Sequence, residues 1–172
     1  MTETERKTKT EEKILDAALK VFARKGYAAA TTRVIAEESG FTEMTLFRKF
    51  KTKQNLFDRV MEKGDQQIEK NSATLFTDHT NEEGKEFIEA FVKSFDEFVF
   101  KNFEYFHLTV QENRVSKSNL GKIIDNIGKY FKEQFPTVKL DYNVFGYLLS
   151  TFIYSLNIDK YYGRTASFDD YD

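Results

Sequence analysis

The sequence predicts an all-α protein, and three observations carry that expectation. Proline occurs once, at Pro136, and glycine eight times in 172 residues, so few positions interrupt a helix. Apolar side chains recur at steps of three and four along most of the chain, from Ile14 to Leu156. Neither the strict alternation of a half-buried strand nor an internal repeat is present.

Composition narrows the class further. Hydrophobic residues make up 40% and charged residues 31%, the balance of a folded globular chain and too apolar for disorder. Cysteine is absent, which excludes disulfides, thiolate metal sites and cysteine nucleophiles. The first ten residues are polar, and no apolar run approaches the ~18 residues of a membrane span. A soluble, cytoplasmic protein with no membrane partner is expected. The net charge of −2 conceals an asymmetry, +4 over residues 1–57 and −6 over residues 58–172. A basic head on an acidic body suits a chain whose head alone meets a polyanion.

The first helix is predicted over residues 11–25, where Ile14, Leu15, Ala18, Leu19 and Phe22 share one face; Gly26 supplies its stop. Thr31 and Thr32 then offer N-cap hydroxyls to a short helix, Arg33 to Ser39, which Gly40 ends. Thr42 caps a second short helix running to about Phe50. Two short helices joined by a glycine-containing turn make a helix-turn-helix, with Ile35, Ala36, Phe41, Leu46 and Phe50 as its core positions. After Lys51-Thr52-Lys53 a long helix begins near Gln54 and runs past Gly64 to about Phe76. Residues 78–84 read as a polar connection.

Phenylalanines dominate the chain between Lys85 and Arg114. Phe87, Phe91, Phe95 and Phe98 line one helix, a break falls near Lys101-Asn102, and a further helix covers Phe103 to about Arg114. Leu120, Ile123, Ile124, Ile127, Tyr130 and Phe131 mark the next helix, closed by Pro136. The last strong helix begins after Asp141. There Tyr142, Phe145, Leu149, Phe152 and Leu156 form the seam of a helix that packs lengthwise on another.

The run from Ile14 to Phe22, then Gly26-Tyr27, Thr31-Thr32, Ile35-Ala36, Ser39-Gly40, Thr45-Leu46-Phe47, Phe50 and Lys53, resembles the TetR family of bacterial regulators. The likeness covers about residues 10–57, ungapped. It implies an all-α homodimer with a three-helix DNA-binding domain at residues 1–53 and a helical ligand-binding and dimerisation domain at 54–172. It also implies that the second short helix enters the major groove of a double-stranded operator. A helix of roughly 10–12 Å fits a groove about 12 Å wide. Two positions depart from the family pattern. Phe47 replaces a frequent tyrosine and keeps the ring without its hydroxyl donor. Met44 replaces a frequent glycine or proline, and its thioether suits a thymine methyl.

The DNA-contact candidates are Thr32, Arg33, Thr42, Met44, Thr45, Phe47, Arg48, Lys49 and Lys53. Lys53 lies beside the unpaired N–H groups at the start of the long helix, an arrangement suited to a phosphate. Arg33 and Arg48 offer planar forks for guanine or phosphate. Thr32, Thr42 and Thr45 serve phosphates or plain capping. Glu43 is left out, because phosphates repel a carboxylate there.

Thirteen of the eighteen phenylalanines lie after residue 57. They are either core or the wall of a cavity, and their number favours a cavity for a small hydrophobic effector. Phe91, Phe95, Phe98, Phe103, Phe106 and His107 are its candidates. Two histidines, His79 and His107, make no metal site, and no cofactor is implied. The seam from Tyr142 to Leu156 is the dimerisation candidate. Residues 167–172 read as the start of another helix cut short, so the chain is expected to be truncated or naturally minimal there. With no phosphate loop, no cysteine and no paired His/carboxylate spacing, an enzyme is not expected. The full expectation is a ligand-responsive repressor that binds a palindromic operator as a dimer. The competing expectation is a non-catalytic helical protein-binding module, which would show no salt-dependent DNA binding.

Overall fold

The computed structural model describes residues 3–76 and 84–164; the expected connection at 78–83, His79 and the C-terminal segment 167–172 lie outside them. Among the described residues every regular element is helical, as the sequence predicts. In order these are α1 (Glu3–Ala29), α2 (Thr32–Ser39), α3 (Glu43–Phe50), α4 (Lys53–Ser72), α5 (Gly84–Lys101), α6 (Phe103–Gln111), α7 (Asn119–Gln134) and α8 (Tyr142–Tyr161). Short 3₁₀ turns at Thr74–Phe76 and Val115–Lys117 punctuate them.

The helices gather into two compact units. One holds the described residues up to Gln67 together with Glu104–Arg114; the other holds Ile68–Phe103 and the described residues from Val115 onward. The division differs from a cut at residue 53 because Leu56, Phe57, Val60 and Met61 of α4 are buried in the first unit's core.

In the first unit α1 buries Ile14, Ala18, Val21 and Phe22. Phe22 meets Phe57 edge-on at 5.2 Å, and Tyr27 meets Phe57 at 4.9 Å. The start of α1 departs from the sequence reading. It starts at Glu3, because the polar first turns find backbone partners: Lys49 Nζ donates to the Lys7 carbonyl at 2.8 Å. Gly26 interrupts the helical geometry (φ 72°, ψ 162°), the stop that the sequence predicts, and a separate turn carries the chain through Ala29. Just past the break, the Tyr27 amide donates to the Glu112 carboxylate at 2.8 Å. The same segment lays the Tyr105 ring against Gly64 and sends its hydroxyl to Asp65 at 2.5 Å. Gly64 therefore sits inside α4 because a neighbouring ring occupies the space of a side chain.

The second unit is built on rings. Phe87, Phe91 and Phe95 of α5 are at most 1% exposed, and Phe131 of α7 meets Phe91 edge-on at 5.0 Å. Helices α7 and α8 approach through Gly128 and Gly146. A Cβ on Gly146 would lie 2.7 Å from the Ile124 carbonyl oxygen, and one on Gly128 would lie 2.5 Å from that of Tyr142. Asp141 caps α8 by accepting from the amides of Asn143 (3.1 Å) and Val144 (3.2 Å). Lower on α8, buried Asn157 and half-buried Lys160 both donate to Asp96 of α5, at 2.8 and 2.6 Å. No described helix is long and apolar enough to cross a membrane.

Candidate nucleic-acid interface

The local sequence fixes the two short helices tightly. Thr31, rather than Thr32, is the N-cap of α2, its hydroxyl accepting from the Val34 amide at 3.3 Å. Gly40 ends α2 in the left-handed region (φ 73°), where its own N–H and that of Phe41 satisfy the last carbonyls. Thr42 caps α3 by accepting from the Thr45 amide at 3.2 Å, and the two hydroxyls lie 3.1 Å apart. Thr32 donates to Glu43 at 2.9 Å, so that carboxylate braces α2 against α3.

With its caps made and Leu46 and Phe50 buried, α3 has one outward face. Met44 is 80% exposed and Phe47 46%, and Arg48 is exposed with no ion pair among the described residues. Apolar surface of this kind, rimmed by a cation and held on a capped helix, is unusual unless something covers it.

The other expected contacts are distributed differently. Lys49 is directed at the protein, donating to the Lys7 carbonyl and lying 3.8 Å from Glu11, with its side chain 16% exposed. Its position one step past Arg48 turns it toward α1, away from the outward face. Lys53 donates to the carbonyls of Ala30 (2.7 Å) and Ala28 (3.3 Å) and sits 4.4 Å from the Tyr27 ring centre. It closes the end of α1 and retains one further N–H. Arg33 is well exposed, with Glu37 at 3.1 Å one turn along.

The junction of α3 and α4 holds a conformation that the sequence reading missed. Lys51, between the two helices, has φ 67° and ψ −47°. The Thr52 amide donates to the Phe50 carbonyl at 2.7 Å across it, which makes Lys51 the centre of a γ-turn of the strained hand. The only sequence cue was a helix pair separated by too few residues for an ordinary turn.

Most of the residues expected to wall an effector cavity are buried rings. Phe91 and Phe95 are core rings of the second unit. Phe103 stacks on Tyr154 at 5.9 Å and meets Tyr161 at 4.7 Å. Phe106 and His107 belong to the first unit, where burial holds the half-buried imidazole of His107 below its usual pKa. A spacing that gathers rings on one face serves core packing as well as a cavity wall. Phe98 borders a cleft of about 400 Å³, together with Leu75, Lys70, Lys101 and Asn102.

Exposure divides the apolar residues of α8 into two sets. Leu156 is 7% exposed and packs inside the subunit; Tyr142, Phe145 and Leu149 are half-buried. The outward stripe is Val144, Tyr147, Leu148 and Phe152, each 52–61% exposed. Only Phe152 is common to the expected seam and this stripe, because the other seam residues pack against their own α5 and α7.

A capped helix pair with an exposed second helix, on an all-helical body, defines the class by its fold: an all-α protein with an N-terminal helix-turn-helix. Residues 14–60 match the family model described as bacterial regulatory proteins, tetR family. The match is confined to that N-terminal segment, which is similar to the DNA-binding domain of that family. It is 46% identical over 52 residues to an uncharacterized HTH-type transcriptional regulator, YvkB, of Bacillus subtilis (strain 168), covering 30% of this chain and 28% of that protein. It is 38% identical over 60 residues to a second such protein from the same organism, YfiR, covering 35% and 29%. The matches thus span under a third of either relative. Among solved structures, a candidate fatty acid metabolism regulator of Clostridium perfringens aligns with TM-score 0.67 at 22% identity, over 92% of this chain and 91% of that one. A TetR-like transcriptional regulator from Rhodococcus sp. RHA1 aligns with TM-score 0.69 at 17% identity, over 91% and 86%. These likenesses extend the TetR fold across the body.

Proposed function

We propose that this chain is a DNA-binding transcriptional regulator, a non-enzymatic repressor that holds a palindromic operator as a homodimer and is released by a small hydrophobic effector in the cytoplasm. The outward face of α3 carries this reading. Arg48 supplies a fork for guanine or phosphate, while Met44 and Phe47 supply apolar surface for thymine methyl groups. Thr32, Thr42 and Thr45 hold the helix ends, Arg33 lies at the start of α2, and the remaining N–H of Lys53 is available to a backbone phosphate.

A dimer joined through Val144, Tyr147, Leu148 and Phe152 would present two copies of α3, which must lie about 34–36 Å apart to read successive turns. The effector must favour a geometry that breaks this spacing. Residues 104–114 are the segment of the first unit contributed from beyond residue 67. Through Glu112 on Tyr27 and Tyr105 on Asp65, they are placed to pass a change to α1 and α4. The half-exposed Phe98 cleft is the entry point we favour for the effector.

The test is fluorescence anisotropy of the full chain on labelled fragments from upstream of its own gene, between 50 and 300 mM KCl. Steep loss of affinity with salt, and retention of one fragment over mixed-sequence duplex, is the expected result. A chain indifferent to every duplex at low salt would return the reading to a protein-binding module.

A further inference from the structure

We propose that Lys51 is a phosphate-contact residue of the DNA interface, held in place by a strained backbone; this rests on the DNA-binding reading above. Two observations converge on it. The first is the conformation. A side chain at φ 67°, ψ −47° carries a steric cost that glycine would avoid, yet the turn is closed on both sides. The Lys51 amide donates to the Phe47 carbonyl at 2.9 Å, the Thr52 amide to the Phe50 carbonyl at 2.7 Å, and the Thr52 hydroxyl accepts from the Asn55 amide at 3.0 Å.

The second is the disposition of the neighbouring cations. Between residues 48 and 53 the chain has four: Arg48, Lys49, Lys51 and Lys53. Lys49 and Lys53 spend their ammonium groups on backbone carbonyls of α1 and the residue just after it. Arg48 and Lys51 are exposed and make no ion pair among the described residues. Among the described residues, Lys51 therefore has no charged partner to account for a lysine where the backbone favours glycine. A polyanion lying along the outward face of α3 provides the reason, since the turn puts this ammonium at the end of that helix, next to the start of α4.

The test separates strain from charge. The full chain is titrated onto a labelled 30-base-pair mixed-sequence duplex across a salt series, as wild type and as Lys51→Gly, Lys51→Asn and Lys51→Arg. Losing one phosphate contact flattens the slope of log K against log salt by about 0.9 per bound chain, roughly eightfold in affinity at 0.1 M relative to 1 M salt. Lys51→Gly is expected to raise Tm by a few degrees and still flatten the slope. Lys51→Asn flattens it equally, and Lys51→Arg keeps the wild-type slope. If both neutral variants keep that slope, or if Lys51→Gly lowers Tm, the proposal is overturned while DNA binding stands. If the wild-type chain itself shows no salt-dependent binding, the DNA reading fails first and this proposal with it.

Discussion

At the scale of single residues, neighbouring cations in the motif do different work, and substitution should separate them. Arg48→Ala removes an outward fork without touching the core; it is expected to cost about 1–3 kcal/mol in operator binding and leave Tm within a degree or two. Lys49→Ala should do the reverse. Its ammonium anchors the first turns of α1 at the Lys7 carbonyl, so hydrogen exchange should quicken there while DNA affinity changes little. Tyr154 carries a pH signature. Burial first, and then the negative charge that Tyr162 would gain, push its phenol up to about 12 from its ordinary 10. The unfolded chain then releases this proton before the folded one. The contribution to stability is complete below about pH 10 and lost as pH climbs toward 12. Denaturant midpoints measured across that window should fall, and should fall less in Tyr154→Phe.

Elements show what the residue pattern could and could not convey. The caps of α2 and α3 were legible because a hydroxyl before a helix and a glycine after it act locally, through hydrogen bonds to amides within three residues. The contact of α7 with α8 was not. Gly128 and Gly146 read as ordinary interruptions until the two backbones are seen to meet there. Gly146→Ala would force a methyl against two backbone segments, Ile124 and Gly128, that have no side chain to move. A loss of about 3 kcal/mol or more is expected by chemical denaturation. Gly64→Ala is the contrasting case. Its methyl meets the Tyr105 ring, which can swing away only by giving up the bond to Asp65. The phenylalanine helix was only half legible for a related reason: periodicity shows which rings share a face, and says nothing about whether that face meets other rings or a void.

For the whole molecule, the residue pattern conveys the all-helical fold class, but not which face of α8 is turned outward. A three-to-four repeat along α8 identifies its apolar residues. The choice between the inner and outer stripe depends on where α5 and α7 lie, which is tertiary information. If the outer stripe joins two subunits, Leu148→Glu with Phe152→Glu should convert a dimer into a monomer in sedimentation velocity. Operator affinity should then collapse to that of a single head, while far-ultraviolet circular dichroism stays unchanged. Persistence of the dimer in that variant would move the interface elsewhere on the body.

The hydrogen bond from Tyr27 to Glu112 bridges residues eighty-five positions apart. It bears on any attempt to join this helix-turn-helix to another helical body. A chimera joined at residue 67, where α4 leaves the first unit, would strand the Tyr27 amide and take the Tyr105 hydroxyl from Asp65, although every residue of the reading motif was kept. A workable graft has to transplant 104–114 as well, so the exchangeable module is discontinuous in the gene.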